Sequence, residues 1–324
     1  MIRRLGSEIR LTASIAAAVL TMATIASARA EAPLVAGPGA RPIPAPHLDV
    51  PYVATPARVV DQMLSLAGVG SADYVLDLGS GDGRIVIAAA LKHGARGMGV
   101  EIDPRLVKIS NEKAQREGVG DRVKFVVQDL FKTDFAEASV ITMYLLPNVN
   151  LKLRPKLLKL KPGTRIVSHD WDMGDWEPDR RVVLDVPEKK RARPRRWASV
   201  ASRDQAPRES TLMLWKIPAR IGGTWRAGDS LTITLEQKYQ KLTGSAIYRG
   251  EVFDHTTGTV DGTKLRLCFA YRSDGSCRRG VSGELTNGQL RLVDDGSERR
   301  QISMVARRER QSPSMRSPTM TGPK

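Results

Sequence analysis

Two cysteines in 324 residues allow this chain one internal disulfide at most, and aromatic residues, at 5%, are few. No internal repeat recurs along the chain, which excludes a solenoid. The apolar run Leu11–Ala26 is short for a membrane span, which takes about 20 residues. Acidic residues are outnumbered: 51 Lys and Arg stand against 35 Asp and Glu, a net charge of +16. Apolar residues make up 41%, enough for real cores, and 324 residues exceed one typical domain.

The chain's most informative stretch is Val75–Gly83 (VLDLGSGDG), followed about twenty residues later by Gly97–Asp103 (GMGVEID). Val75 to Leu78 is a short apolar run, three glycines then alternate with small polar residues, and Arg84 to Lys92 reads as a helix closed by Gly94. This is strand, turn, helix. At Gly79, Gly81 and Gly83 the missing Cβ permits positive φ and lets the backbone approach a ligand at the helix N-terminus. The second strand ends in Glu101, an acid placed to accept hydrogen bonds from ribose hydroxyls.

A dinucleotide site would need a small residue where Arg84 stands. The pattern Asp77-x-Gly79-x-Gly81-x-Gly83 instead resembles the first motif of class I S-adenosylmethionine (SAM) methyltransferases; Glu101 matches their second, and Asp129, closing the strand from Val123, their third. The resemblance implies a Rossmann-like α/β fold with a seven-stranded sheet. It also implies a glycine loop, with Ser80, against the methionine part of SAM, Glu101 on the ribose, and Asp129 with Leu130 at the adenine. Asp77 then faces the cationic amino group of the cofactor or, alternatively, braces the turn by accepting backbone N–H bonds. The segment Pro51–Pro56 (PYVATP), followed by a helix with apolar Val59, Val60, Met63, Leu64 and Ala67, is similar to a branch of seven-strand protein lysine methyltransferases, in which Thr55 would sit beside the cofactor. The N/D-P-P-Y signature of many amino-group methyltransferases is absent, since the fourth strand ends in Met143-Tyr144-Leu145-Leu146-Pro147.

Methyl transfer from a sulfonium needs alignment more than acid–base machinery. A lysine acceptor must first lose its proton, against a free pKa of about 10.4, and an apolar aromatic channel lowers that value by desolvation. Tyr144 and Trp171 are the candidates for such a channel, with Trp176 and, at the N-terminal segment, Tyr52; each can equally be packing. His169, Asp170 and Asp172 are metal-ligand types, but without distant partners they read as a satisfied loop, and no metal site is assigned.

Residues 1–30, with Arg3, Arg4 and Arg10 before the apolar run and Ala28-Arg29-Ala30 at the end, read as a secretory signal peptide. The protein is therefore expected to be exported or periplasmic, with a membrane anchor or a mitochondrial leader as alternatives; residues 31–48 read as linker. The methyltransferase domain is expected over 49–217. Within it the loop 187–209 carries Lys189–Arg196 (KKRARPRR), either solvated or a docking arm for an anionic partner. No aromatic alternates with these charges except Trp197, so specific nucleic-acid recognition is unsupported.

From 218 to 306 period-two segments, such as Leu231, Ile233 and Leu235, alternate with glycine breaks, and Asn287-Gly288 and Asp274-Gly275 are hairpin signals. A small antiparallel β domain is expected there, then a disordered tail over 307–324. Cys268 and Cys277 fall in this domain. If Asp274-Gly275 were the centre of a two-residue turn, Cys268 would face Val281 and Cys277 would face Arg272, too far apart to bond; a wider loop would remove the objection. The function implied is SAM-dependent methyl transfer to a protein lysine, with a small-molecule acceptor, or an exported binding protein without turnover, as the alternatives.

Overall fold

A computed structural model of the chain describes residues 52–187, 208–271, 275–295 and 303–309. The expected leader, the linker, the basic run Lys189–Arg196 and the tail beyond residue 309 lie outside the described residues.

A seven-stranded sheet carries the first half, in the order β3-β2-β1-β4-β5-β7-β6. Its strands are β1 (Tyr74–Leu78), β2 (Arg96–Glu101), β3 (Val123–Val127), β4 (Val140–Met143), β5 (Arg165–His169), β6 (Arg180–Asp185) and β7 (Glu209–Lys216). The first five run parallel, and β7 inserts antiparallel between β5 and β6. Four helices join them: α1 (Ala57–Ala67), α2 (Arg84–His93), α3 (Pro104–Arg116) and α4 (Pro147–Leu157). In α1 the expected residues Val59, Val60, Met63, Leu64 and Ala67 are all buried, one helical face laid on the sheet. Gly94, at φ 68°, ends α2 in the left-handed conformation that only glycine adopts freely. Asp103 caps α3 by accepting the Arg105 N–H.

The second half is a closed eight-stranded antiparallel barrel, β10-β11-β12-β13-β14-β15-β8-β9. Its strands are β8 (Gly223–Ala227), β9 (Leu231–Lys238), β10 (Lys241–Tyr248), β11 (Glu251–Asp261), β12 (Lys264–Ala270), β13 (Arg279–Thr286), β14 (Gln289–Asp294) and β15 (Ser303–Arg308). The expected alternation is met, with Leu231, Ile233, Leu235, Leu265, Leu267 and Phe269 packed inside. Asn287 and Gly288, at φ 50° and 74°, make the two-residue turn between Thr286 and Gln289.

One open alternative is settled and one expectation is corrected. Cys268 and Cys277 are joined, with Cα atoms 5.4 Å apart. The β12–β13 ladder ends with Phe269 opposite Arg279, next to Cys268 opposite Gly280, so the two strands are joined by a wide loop. Arg307 and Arg308, expected in the tail, belong instead to β15. There they pair with β8 and close the barrel, leaving neither strand an open edge at that seam.

Barrel and sheet meet at the tip of the β9–β10 hairpin. Trp176, fully buried, stacks on Tyr239 with ring centroids 5.6 Å apart, and its Nε1 donates to Gln240 Oε1 at 3.0 Å. Its carbonyl accepts from Trp215 Nε1 at 2.8 Å. Trp176 is thus a packing residue, because its indole is spent on the barrel contact. Trp176→Ala should cost on the order of 3–5 kcal/mol in urea denaturation, the usual loss for a buried aromatic; a change within error of zero would show that the hairpin does not need this anchor.

Candidate functional site

At the carboxyl ends of β1, β2 and β4 lies a cavity of about 350 Å³. Of the residues expected to hold a cofactor, Asp77, Gly79, Ser80, Gly81 and Glu101 line it, and so do Thr55, Asp129 and Leu130. Tyr144 lines it from the end of β4 and Tyr52 from the N-terminal segment. Gly83 is not among the lining residues. A Cβ there would come within 2.7 Å of Phe125 Cζ and 2.9 Å of Ser110 Cβ, so this glycine serves the close packing of α2 on the sheet. Trp171 is also outside the lining; it is 40% exposed in the connection after β5, where its carbonyl accepts from Ser168 Oγ at 2.6 Å and Asn150 Nδ2 at 3.2 Å.

The three loop glycines sit at φ 75°, 54° and 76°, as their spacing predicts. At Gly81 a Cβ would also lie 2.3 Å from Tyr52 Cε2, so the glycine leaves room for the aromatic ring as well as for a ligand. The turn is braced by β2: Val100 O accepts from Gly79 N at 2.9 Å and Ser80 N at 3.0 Å. Glu101 Oε2 accepts from Gly81 N at 2.9 Å, while its Oε1 accepts from Ile102 N and Asp103 N at 2.8 and 3.1 Å. The bracing considered for Asp77 therefore falls to Glu101. Asp77 is buried and accepts instead from Thr142 Oγ1 on β4 at 2.7 Å. Asp129 lies two residues beyond the end of β3, where its Oδ1 accepts from Phe131 N at 2.8 Å.

Four residues to which the sequence alone assigns no role complete the site: Asp82, Arg84, His169 and Asp170. Arg84 holds Asp82 with two hydrogen bonds of 2.7 Å, from Nε to Oδ1 and from Nη2 to Oδ2, and its Nη1 donates to Thr55 O at 2.7 Å. This ties the segment 52–56 to the glycine turn. Thr55 Oγ1 shares a hydrogen bond with His169 Nδ1 at 3.4 Å, and His169 Nε2 one with Ser210 Oγ at 2.9 Å. The His169 ring lies 3.9 Å from that of Tyr144, whose hydroxyl donates to Asp170 Oδ2 at 3.0 Å. The signal for Arg84 is present in the sequence as a charged residue where a dinucleotide fingerprint needs a small one. His169 and Asp170 have no comparable signal, because their partners come from strands distant in sequence.

Burial dominates the electrostatics. It pushes the Asp77 carboxyl up to about 7; the Thr142 hydrogen bond opposes this, and the charges of Glu101 and Asp82 reinforce it. Tyr144 is held above the ordinary phenol range by burial and then by the Asp170 carboxylate, so its hydroxyl stays protonated at neutral pH. Chemically, the cavity offers a buried carboxyl that can receive a cationic group, a glycine turn open to a ligand, carboxylates at the ends of β2 and β3, and a neutral phenol opposite them. That donor set suits the amino group, the ribose hydroxyls and the adenine of SAM.

Comparison with known proteins agrees. The sequence profile of the ANTKMT methyltransferase domain matches residues 77–180. A protein-lysine N-methyltransferase of Saccharolobus islandicus (strain REY15A) is 47% identical over 142 residues, 43% of this chain and 87% of that protein. The adenine nucleotide translocase lysine N-methyltransferase of Mus musculus is 38% identical over 142 residues, 44% of this chain and 61% of that protein. The chain thus spans most of the Saccharolobus relative and about six tenths of the mouse one. Among solved structures, an RNA methyltransferase from Salinibacter ruber in complex with S-adenosyl-L-homocysteine is 49% identical, with 52% of this chain and 96% of that one covered and a TM-score of 0.43.

The raised Asp77 value has a consequence for stability. Between about pH 4 and pH 7 the folded protein keeps a proton that the unfolded chain, with an Asp near 3.9, has lost. Stability from this residue is therefore complete below about pH 4 and is lost as the pH rises toward 7. Asp77→Asn should remove that slope, so its advantage in urea midpoint over the wild type grows from pH 4.5 to about 7 and then levels. A difference between the two that does not vary with pH would place the Asp77 value in the ordinary range.

Proposed function

This chain belongs to the protein-lysine N-methyltransferase family of class I SAM-dependent methyltransferases, and from that premise we propose that its methyl acceptor is the Nζ of a lysine in a protein. The observation that carries the reading is the composition of one cavity: the cofactor motif residues Asp77, Gly81, Glu101 and Asp129 share it with the aromatic side chains of Tyr52 and Tyr144.

In this reading Asp77 receives the cofactor's ammonium, Glu101 the ribose hydroxyls, and Asp129 with Leu130 the adenine, while the turn from Gly79 to Gly81 lies against the methionine portion. SAM supplies an electrophilic methyl: the N–C bond forms as the S–C bond breaks, and the electron pair returns to sulfur. Before that, the lysine ammonium gives its proton to solvent, helped by desolvation against Tyr52, Val53 and Tyr144. A neutral Tyr144 cannot take that proton as a phenolate base; it orients the amine. The same rings face a cationic methylammonium product favourably.

Purified protein incubated with methyl-labelled SAM and an extract of its own cells should place label on protein, released by acid hydrolysis as methyllysine. Label in RNA or in small molecules would overturn the lysine acceptor, and SAM binding without any transfer would favour the non-catalytic alternative. Glu101→Ala should weaken calorimetric binding of SAM by about 1.5–3 kcal/mol, the usual loss of hydrogen bonds to a charged group. Wild-type affinity in that variant would mean that the ribose sits elsewhere.

A further inference from the structure

Asp170 is the first residue after β5, and its φ of 64° puts it in the left-handed region, which Asp tolerates better than most residues with a side chain. In that conformation it is fastened to β7 at both ends. Its N–H donates to Thr211 O at 2.7 Å, and its Oδ1 accepts from Thr211 N at 3.0 Å. The other carboxylate oxygen accepts a hydrogen bond from the Tyr144 hydroxyl at 3.0 Å.

A phenol carries one donor and two lone pairs. With the donor given to Asp170, Tyr144 can offer a ligand in the cavity only its lone pairs, and an amine is a ligand that brings N–H groups to them. Ring rotation is restricted as well, by the His169 imidazole 3.9 Å away. We propose that Asp170 is a positioning residue: by fixing the Tyr144 proton it aims the phenol oxygen at the acceptor amine, which is held by one N–H so that the nitrogen lone pair faces the sulfonium methyl. This rests on the lysine reading above. The amine held in this way is already neutral, its proton having gone to solvent, and Tyr144 keeps its own proton throughout.

Four variants test the role in the labelling assay on cell extract. Asp170→Gly keeps the left-handed backbone at no steric cost and deletes the carboxylate. It should lower the rate of lysine labelling at saturating SAM by about 10²-fold, the scale of a misplaced reacting group, with calorimetric SAM affinity unchanged. Asp170→Asn, which keeps an acceptor oxygen for Thr211 N but puts an amide N–H donor where Oδ2 accepts from the phenol, should stay at the low rate, and this separates loss of the Tyr144 contact from loss of the Thr211 one. Tyr144→Phe should fall to the Asp170→Gly level, and the double variant no further, since both remove the Tyr144–Asp170 hydrogen bond. In protein with ¹³Cζ-labelled tyrosine, the resonance lost in Tyr144→Phe should shift in Asp170→Gly. Normal lysine labelling by Asp170→Gly, losses that multiply in the double variant, or an unmoved resonance would overturn the role while leaving the lysine reading intact. Absence of lysine label from the wild type itself would defeat that reading, and with it the amine-orienting role.

Discussion

Three glycines in left-handed conformations within five residues let β1 turn directly into α2, and the site depends on that turn closing. The N–H groups of the turn need acceptors, and here β2 provides them: Val100 O takes two and the Glu101 carboxylate takes a third. The same hydrogen bonds hold the end of β2 beside the turn, so the acid proposed for the ribose and the loop proposed for the methionine portion are placed by a single set of contacts. Gly83 allows the last part of the turn to pack against Phe125 of β3.

The opposite wall is assembled from segments that are distant in sequence. Arg84 binds Thr55 O, Thr55 meets His169, His169 lies against Tyr144, and Tyr144 is held by Asp170. A few residues further on, Asp175 and Trp176 bond the Tyr239-Gln240 tip of the barrel. The connection after β5 thus carries the fixing group for Tyr144 at its start and the barrel's anchor near its end. The barrel itself is filled by its own side chains, among them Trp225, Tyr248 and Phe269. Its visible contribution to the methyltransferase half is this docking.

Legibility in the sequence follows how local each interaction is. Asp77, the glycines and Glu101 can be read because strand, turn and helix are contiguous and the second strand follows at fixed spacing. The face of α1 can be read because five apolar residues repeat at helical intervals. Asn287-Gly288 announces its turn because both residues tolerate positive φ. Arg84 stands in view, but its partner is a carbonyl 29 residues upstream. Asp170 reads from the sequence only as a metal-ligand type, because Tyr144 and Thr211 become its neighbours through strand order alone. Trp176 reads as a channel candidate for the same reason: its partner Gln240 is 64 residues away, at the tip of a barrel hairpin. The disulfide turns on the width of one loop, which the alternation of strand residues does not encode.

The charge of the cavity runs against that of the chain. A protein of net charge +16 lines this cavity with Asp77, Asp82, Glu101, Asp103 and Asp129, and Arg84 spends its charge on Asp82. Screening over about 8 Å at physiological salt leaves a ligand governed by these nearby groups more than by distant Lys and Arg. Such a field favours cations, which suits a sulfonium cofactor, yet it would also hold a lysine in its charged and unreactive form. The arrangement of the wall bears on that conflict. Glu101 ends β2 and Asp129 follows β3, on the side proposed for the ribose and adenine, whereas the side proposed for the acceptor presents Tyr52, Val53 and Tyr144, none of which is charged at neutral pH. An amine moving from the acidic rim to that wall loses solvent, which lowers an ammonium pKa, while Asp82 beside Tyr52 and Asp170 behind Tyr144 pull the other way. In the proposed reading desolvation outweighs these carboxylates, and the phenol held by Asp170 orients the nitrogen.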